Sequence, residues 1–254
     1  MTSPYDQEGA SARLRWGRRG ARAALAAGDV LVVVDVLSFS TATALALAAG
    51  AEVIPAAPGP GAAARAAELG AILASKRSQE GPSLSPASLR ELAPGTRLVL
   101  PSPNGSFCSE LAGERIPLLT GALVNASAAA RAARAAAEEE GLAVSVLACG
   151  ERWATPDPDD GGLRVALEDA LGAGAVLDAL GLPCSPEAEH ARLAFAAARD
   201  ADRIAELVRS SGSGRELIER GFALDVELAC QLDSLTLAPR LEAGRFRPAP
   251  QGPA

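Results

Sequence analysis

From residue 29 to about residue 182, short apolar runs alternate with stretches of helical period. The run DVLVVVDVL (29–37) is rich in β-branched valine and apolar on both faces, as a strand covered on both sides requires. STATALALAAG follows at helical spacing, with Ser40 or Thr41 at the N-cap and Gly50 at the C-cap. The strand AEVIPA, a helix from Gly61 to Leu69 and the strand AILAS come next. SPASLREL reads as a short helix capped by Ser85, with Pro86 at its first position. TRLVLP, IPLLTG and AVSVLACG are further strands, each followed by a helix that begins near Asn104, Asn125 or Leu163. Strands regularly separated by helices predict parallel βαβ units and a sheet covered on both faces.

Beyond Gly181 the pattern changes. SPEAEHARLAFAAARD, ADRIAELVRSS, SGRELIERG and FALDVELACQLD are consecutive helices without strands between them. LTLAP and GRFRP predict short edge strands, and RPAPQGPA a frayed tail. The expected organisation is one α/β domain over residues 1–254. Its core spans 10–182, its mainly helical C-terminal part 183–247, and its tail 248–254.

Composition narrows the chemistry. A 254-residue chain that is 48% apolar can bury a sizeable core, and no apolar run reaches the length of a membrane span. MTSPYDQEGA has no basic start leading into an apolar stretch, so no secretory leader is expected. A net charge of −7 argues against nucleic acid as a partner. Cys108, Cys149, Cys184 and Cys230 are scattered without a CxxC pair, which fits a reducing cytoplasm. The single histidine, His190, lies on a polar-faced helix and is expected at the surface. A His-rich zinc site is excluded, and so is the Cys-x5-Arg arrangement of cysteine phosphatases.

The stretch LVLPSPNGSFCSEL (98–111) runs from a strand through two prolines and an Asn-Gly straight into a helix. Such a turn is either punctuation or a bed of N–H groups and hydroxyls for an anion. Ligands of a parallel sheet gather beyond the carboxyl ends of its strands. Four polar groups fall there: Asp35 with Ser38, Ser40 and Thr41; Ser102 with Asn104, Gly105 and Ser106; Gly121 with Asn125; and Cys149-Gly150 with Glu151 and Arg152. Asp35 ends an apolar run, where a carboxylate is costly unless paired, metal-bound or capping the next helix. Glu168 and Asp169 form a second acidic pair, whose alternative is a solvated helix face. DPDDGGLRVALE (157–168) places Asp, Asp, Gly and Glu at calcium-loop positions 1, 3, 6 and 12, but no helix enters it and Arg164 stands within it. The match is coincidental.

Taken in order, VVVDVLSFSTATALALAAGAEVIPA, LSPASLRELAPGTRLVLPSPNGS, LLTGALVNASAAA, LACGERW, LRVALEDALGAGAVLDAL and GFALDVELACQLDSLTLAPRLEAGRF resemble the 2-phosphosulfolactate phosphatase family. The likeness runs from about residue 10 to 247. It implies a three-layer α/β/α sandwich with a largely parallel or mixed sheet and a C-terminal helical appendage. It also implies a Mg²⁺-dependent phosphatase releasing phosphate from 2-phospho-3-sulfolactate. Three places depart from the family's usual residues. Ser38-Phe39 stands where Arg-Ala is common, Ser75-Lys76-Arg77 where Gly-Glu-Arg is common, and Ser83-Leu84-Ser85-Pro86 in place of Gly-Asn-Ser-Pro.

Phosphate-monoester hydrolysis needs enhancements of up to about 10²¹-fold, roughly 29 kcal/mol, whereas a helix N-terminus contributes only about 0.3–2 kcal/mol toward an anion. A metal is the expected supplement, and Mg²⁺ needs only one or two carboxylates beside phosphate oxygens and water. Asp35, Glu168 and Asp169 are the candidate metal ligands, with Asp35 the first choice of base and Glu168 the second catalytic carboxylate. Ser40, Thr41, Ser102, Asn104, Gly105, Ser106 and Asn125 are candidate substrate contacts. Arg77 and Arg152 are expected to hold the carboxylate and sulfonate. The expected partner is a small phosphorylated anion in the cytoplasm; a homo-oligomer stays open. Two alternatives remain: a phosphatase for a related 2-phospho-hydroxy acid, and a non-catalytic anion- or nucleotide-binding module.

Overall fold

Two elements precede the first strand that the apolar pattern reveals. β1 (Ala12–Trp16) buries Ala12 and Leu14 but interleaves them with Arg13 and Arg15. α1 (Gly17–Ala27) packs through the small residues Gly20, Ala21 and Ala24. Arginines interrupt the apolar run of the strand, and the buried face of the helix is only glycine and alanine, so neither stands out as an apolar run. Arg13 is neutralised by Asp29 at 3.0 Å, and Arg15 donates to the carbonyls of Tyr5 and Asp6 at 3.1 and 2.7 Å. The computed structural model describes residues 4–77, 80–153, 155 and 162–250.

The chain continues through β2 (Val30–Val34), α2 (Phe39–Ala48), β3 (Glu52–Ala56), α3 (Pro60–Leu69) and β4 (Ile72–Leu73). Then come β5 (Arg97–Pro101), α4 (Gly105–Ala112), β6 (Leu118–Gly121), α5 (Ala126–Glu140) and β7 (Val144–Ala148). A short ribbon, β8 (Glu151–Arg152) with β9 (Leu163–Arg164), leads to α6 (Leu167–Leu180). The helix expected from Leu163 therefore starts four residues later, because Leu163 and Arg164 pair with β8. The calcium-loop look-alike falls partly outside the described residues. SPASLREL forms only a 3₁₀ turn, Pro86–Leu89.

The C-terminal part is α7 (Pro186–Asp200), α8 (Ile204–Ser210), α9 (Gly212–Glu219) and α10 (Ala223–Ala229), then β10 (Pro239–Glu242) and β11 (Arg245–Pro248). Ser185 and Ser211 cap α7 and α9 through side-chain oxygens, accepting from Ala188 and Gly214 N–H groups at 3.2 and 3.0 Å. His190 is exposed on α7, and all four cysteines are free. No helix among the described residues is long and apolar enough to cross a membrane.

Nine strands form one mixed sheet in the order β1-β7-β2-β6-β10-β11-β3-β5-β4. β1, β7, β2 and β6 are mutually parallel, as are β3, β5 and β4. β10 and β11 lie between these blocks, each antiparallel to its neighbours, so the expected edge strands sit at the centre. Leu241 and Phe246 are buried there, which short apolar runs interrupted by arginine do not advertise. Two antiparallel steps beside the hairpin and one within it reverse the nominal direction of the second block. The loops after β2 and β5 nevertheless touch, with the Asp35 carboxylate accepting from the Gly105 N–H.

Helices α5 and α6 cover one face, packing on Val30, Val32 and Val34, with α7 against α6. Helices α1, α2 and α4 cover the other, on Leu31, Val33, Leu98 and Leu100. The result is a three-layer α/β/α sandwich with C-terminal helical segments. Alternate side chains of β2 enter opposite cores, so its valines must be apolar on both faces.

Candidate active site

β2 delivers Asp35 to its carboxyl end, where the carboxylate is buried. Oδ1 accepts from the N–H groups of Ser38 and Phe39 at 2.8 and 3.1 Å, at the start of α2. Oδ2 accepts from the Gly105 N–H at 2.9 Å and the Ser102 hydroxyl at 3.3 Å, at the start of α4. One carboxylate thus serves two helix N-termini, which favours a negative charge there. Burial still pushes the Asp35 carboxyl above its ordinary range, against the four donors.

Asp169, near the start of α6, clasps the chain after β2 and after β7. Its oxygens accept from Val36 and Gly150 N–H groups at 2.7 and 2.8 Å. Burial, then the charges of Asp35 and Glu168, raise it well above the usual carboxylate range. Glu168 is buried beside it, and its Oε2 is without a hydrogen-bond partner. Glu151 on β8 accepts from the Asn104 side-chain amide at 3.0 Å. Burial first, then Asp35 and Glu168, push the Glu151 carboxyl up to about 7. The charges of Asp35 and Glu168 thus act on both Asp169 and Glu151.

A cleft of about 220 Å³ opens beside them. It is lined by Asp35, Ser38, Ser102, Asn104 and Glu151 together with Arg77, Ser213, Glu216 and Arg220. Arg77 forms an ion pair with buried Asp225 at 3.4 Å, and its guanidinium donates to the Ser38 hydroxyl. Beyond the Asn104–Glu151 pair lies a second cavity of about 340 Å³, where Arg152, Arg18 and Arg22 gather.

The structure gives several expected substrate contacts other partners. Ser40 donates to the Val33 carbonyl and accepts from the Asp35 N–H, so Asp35 rather than Ser40 or Thr41 caps α2. Thr41 donates to Val36, and Ser106 to the Leu100 carbonyl at 2.6 Å. Asn125 spans Ala122 and Leu237, tying the loop after β6 to the chain ahead of β10. These side chains fix backbone at strand ends. Gly105 has no left-handed φ; a Cβ there would come within 2.2 Å of the Phe39 ring. Its N–H meets the protein's own carboxylate. Arg77, Ser102 and Asn104 line the cleft; Arg152 lines the second cavity.

Sequence reading missed Ser213, Arg220 and Asp225. Arg220 and Ser213 lie in what reads as a solvated helical stretch, with no signal in either. Asp225 had one: an acid amid Phe222, Leu224, Val226 and Leu228, where burial without a partner is costly.

The donor set suits a hard cation, because only carboxylate, amide and hydroxyl oxygens converge. The unpartnered Oε2 of Glu168 and the raised carboxyls of Glu151 and Asp169 are what a divalent ion would relieve. Among the described residues no three His, Cys, Asp or Glu groups form a ready-made cage. Mg²⁺, which retains waters and takes phosphate oxygens, does not need one.

Over residues 20–244 the chain matches the family described as 2-phosphosulpholactate phosphatase. A Deinococcus radiodurans protein named "Probable 2-phosphosulfolactate phosphatase" is 34% identical over 157 residues, which are 61% of this chain and 60% of that relative. With the family matched across nearly the whole α/β core and the C-terminal helices, the chain belongs to the 2-phosphosulfolactate phosphatase family.

Proposed function

We propose that this protein is a phosphoric monoester hydrolase that converts 2-phospho-3-sulfolactate to 3-sulfolactate and phosphate with the help of Mg²⁺. The observation that carries the reading is the meeting of Asp35 and Glu151, both raised by burial, with Arg77 at one cleft. Water attacks phosphorus, the ester P–O bond breaks, and the leaving alkoxide takes a proton. Arg77 and the Ser102–Asn104 loop orient the anionic substrate. Glu151 suits the proton transfer, because a carboxyl near 7 exchanges protons readily at neutral pH. Asp35, with both oxygens occupied, holds the two loops and sets the local charge rather than leading as base. Glu168, together with Asp35 or Asp169, would hold the metal. When bound, Mg²⁺ stabilises charge on the phosphoryl oxygens.

The test is phosphate release from a panel of 2-phospho-hydroxy acids with and without Mg²⁺. Release from 2-phospho-3-sulfolactate above the rest supports the proposal. Preference for a sulfonate-free acid would support the related-substrate reading, which Ser38 in place of the family's common arginine favours. Binding without release from any member would make the protein a non-catalytic anion-binding module.

A further inference from the structure

Arg77 and Arg220 approach the same aromatic ring from different elements. Their guanidinium carbons lie 5.7 and 5.9 Å from the centre of the Phe222 ring. Both line the cleft, with Ser38 and Ser213 beside them. Like charges so placed repel: burial depresses the Arg77 guanidinium first, and Arg220 adds to it, against the opposing charges of Asp225 and Asp35. An anion between them would relieve that cost.

The two arginines are held differently. Arg77 is nearly buried and tied to Asp225, whose side chain is 1% exposed. The other Asp225 oxygen accepts from the Ser85 hydroxyl at 2.6 Å and the Ala87 N–H at 3.1 Å. Asp225 thereby fixes Arg77 to both α10 and the 3₁₀ turn after Ser85. Arg220 is exposed and pairs with Glu216 at 3.0 Å, one helical turn away. Such a surface pair is weak and exchangeable, so Arg220 is free to swing onto an incoming anion.

We propose that Arg220 closes, with Arg77, a two-guanidinium clamp for the second anionic group of the substrate, a carboxylate or sulfonate, and that Asp225 is the positioning residue for Arg77. The substrate identity rests on the phosphatase reading above; the clamp itself does not need turnover. Guanidinium forks match either oxyanion, and the Phe222 face supports both cations.

The experiment measures binding by calorimetry, using 3-sulfolactate, lactate and inorganic phosphate as probes on folded protein. Arg220→Gln should weaken 3-sulfolactate about tenfold or more, and inorganic phosphate by a clearly smaller factor. A similar loss for lactate assigns the clamp to the carboxylate; loss confined to 3-sulfolactate assigns it to the sulfonate. Unchanged 3-sulfolactate affinity, or equal loss for it and phosphate, overturns the clamp. Asp225→Asn should weaken 3-sulfolactate in the wild-type background but add nothing in the Arg77→Gln background. Additive losses overturn the positioning role. If Asp225→Asn does not fold, Asp225→Glu, which keeps the charge but displaces it by one methylene, is read in the same cycle. Should no phospho-acid be hydrolysed while these binding results hold, the phosphatase reading fails and the clamp stands.

Discussion

The Asp35 carboxylate accepts the Gly105 N–H at 2.9 Å, joining the end of β2 to the start of α4 across 70 residues. Its other oxygen caps α2, so the turn that resembles an anion cradle already holds an anion from the protein. An asparagine can accept at one side only and would present an amide to the other set of donors.

Asp35→Asn should therefore cost about 1–3 kcal/mol of stability, the penalty of leaving a buried donor unmet. Phosphate release should fall by about 10²-fold or more in the variant that still folds. Urea unfolding and single-turnover rates measure the two separately. Wild-type stability would contradict the double cap.

Gly105→Ala tests the second half of that junction. The added carbon would lie 2.2 Å from the Phe39 ring. Phe39 has little room to yield, being fully buried with its ring 6.0 Å from that of Phe246. Overpacking of this kind costs about 1–3 kcal/mol. Chemical denaturation checks it, and a neutral result would show that Phe39 can move aside.

Much of this arrangement is legible in the sequence, and the remainder is hidden for identifiable reasons. Asp35 stands out because a carboxylate ends a valine run, and the Ser102–Ser106 turn because prolines and Asn-Gly break the pattern. What the pattern cannot say is whom Asp35 serves, since Gly105 lies 70 residues away. β1 is interrupted by arginine, and α1 buries only glycine and alanine, so neither forms an apolar run despite the amphipathic spacing of the helix. β10 and β11 read as edge strands because their position depends on pairing with β6 and β3, a tertiary fact. Arg220 reads as solvent-facing because only the fold brings α9 over the cleft.

Glu151 gives a pH prediction. Its carboxyl is raised from 4.5 to about 7 in the folded protein. The native state then holds a proton that the unfolded chain has lost, so this group's contribution is full below pH 4.5 and is lost as pH rises through about 7. Glu151→Gln keeps an uncharged group at every pH. The variant should melt near wild type at pH 4.5 and above it at pH 8. Melting curves at the two pH values decide the matter, and a constant difference would mean that Glu151 does not titrate in this range.

The last prediction concerns the metal. Burial raises Asp35, Glu151 and Asp169, the charges of Asp35 and Glu168 add to the rise at Glu151 and Asp169, and Glu168 keeps one buried oxygen without a partner. A divalent cation at that point would replace carboxylate repulsion with attraction, and it would bind only the folded arrangement. Mg²⁺ should therefore raise the melting temperature, with a gain of about 2.7 kcal/mol at a hundredfold excess over its dissociation constant. Chelator should reverse the gain and abolish phosphate release. Glu168→Gln removes the charge but leaves a polar side chain of the same size, so it should fold while losing most of the Mg²⁺-dependent stabilisation. Because the stability readout needs no substrate, it separates metal binding from catalysis. Full phosphate release from chelated protein would exclude a metal requirement, and an undiminished Mg²⁺ effect in Glu168→Gln would place the ion elsewhere.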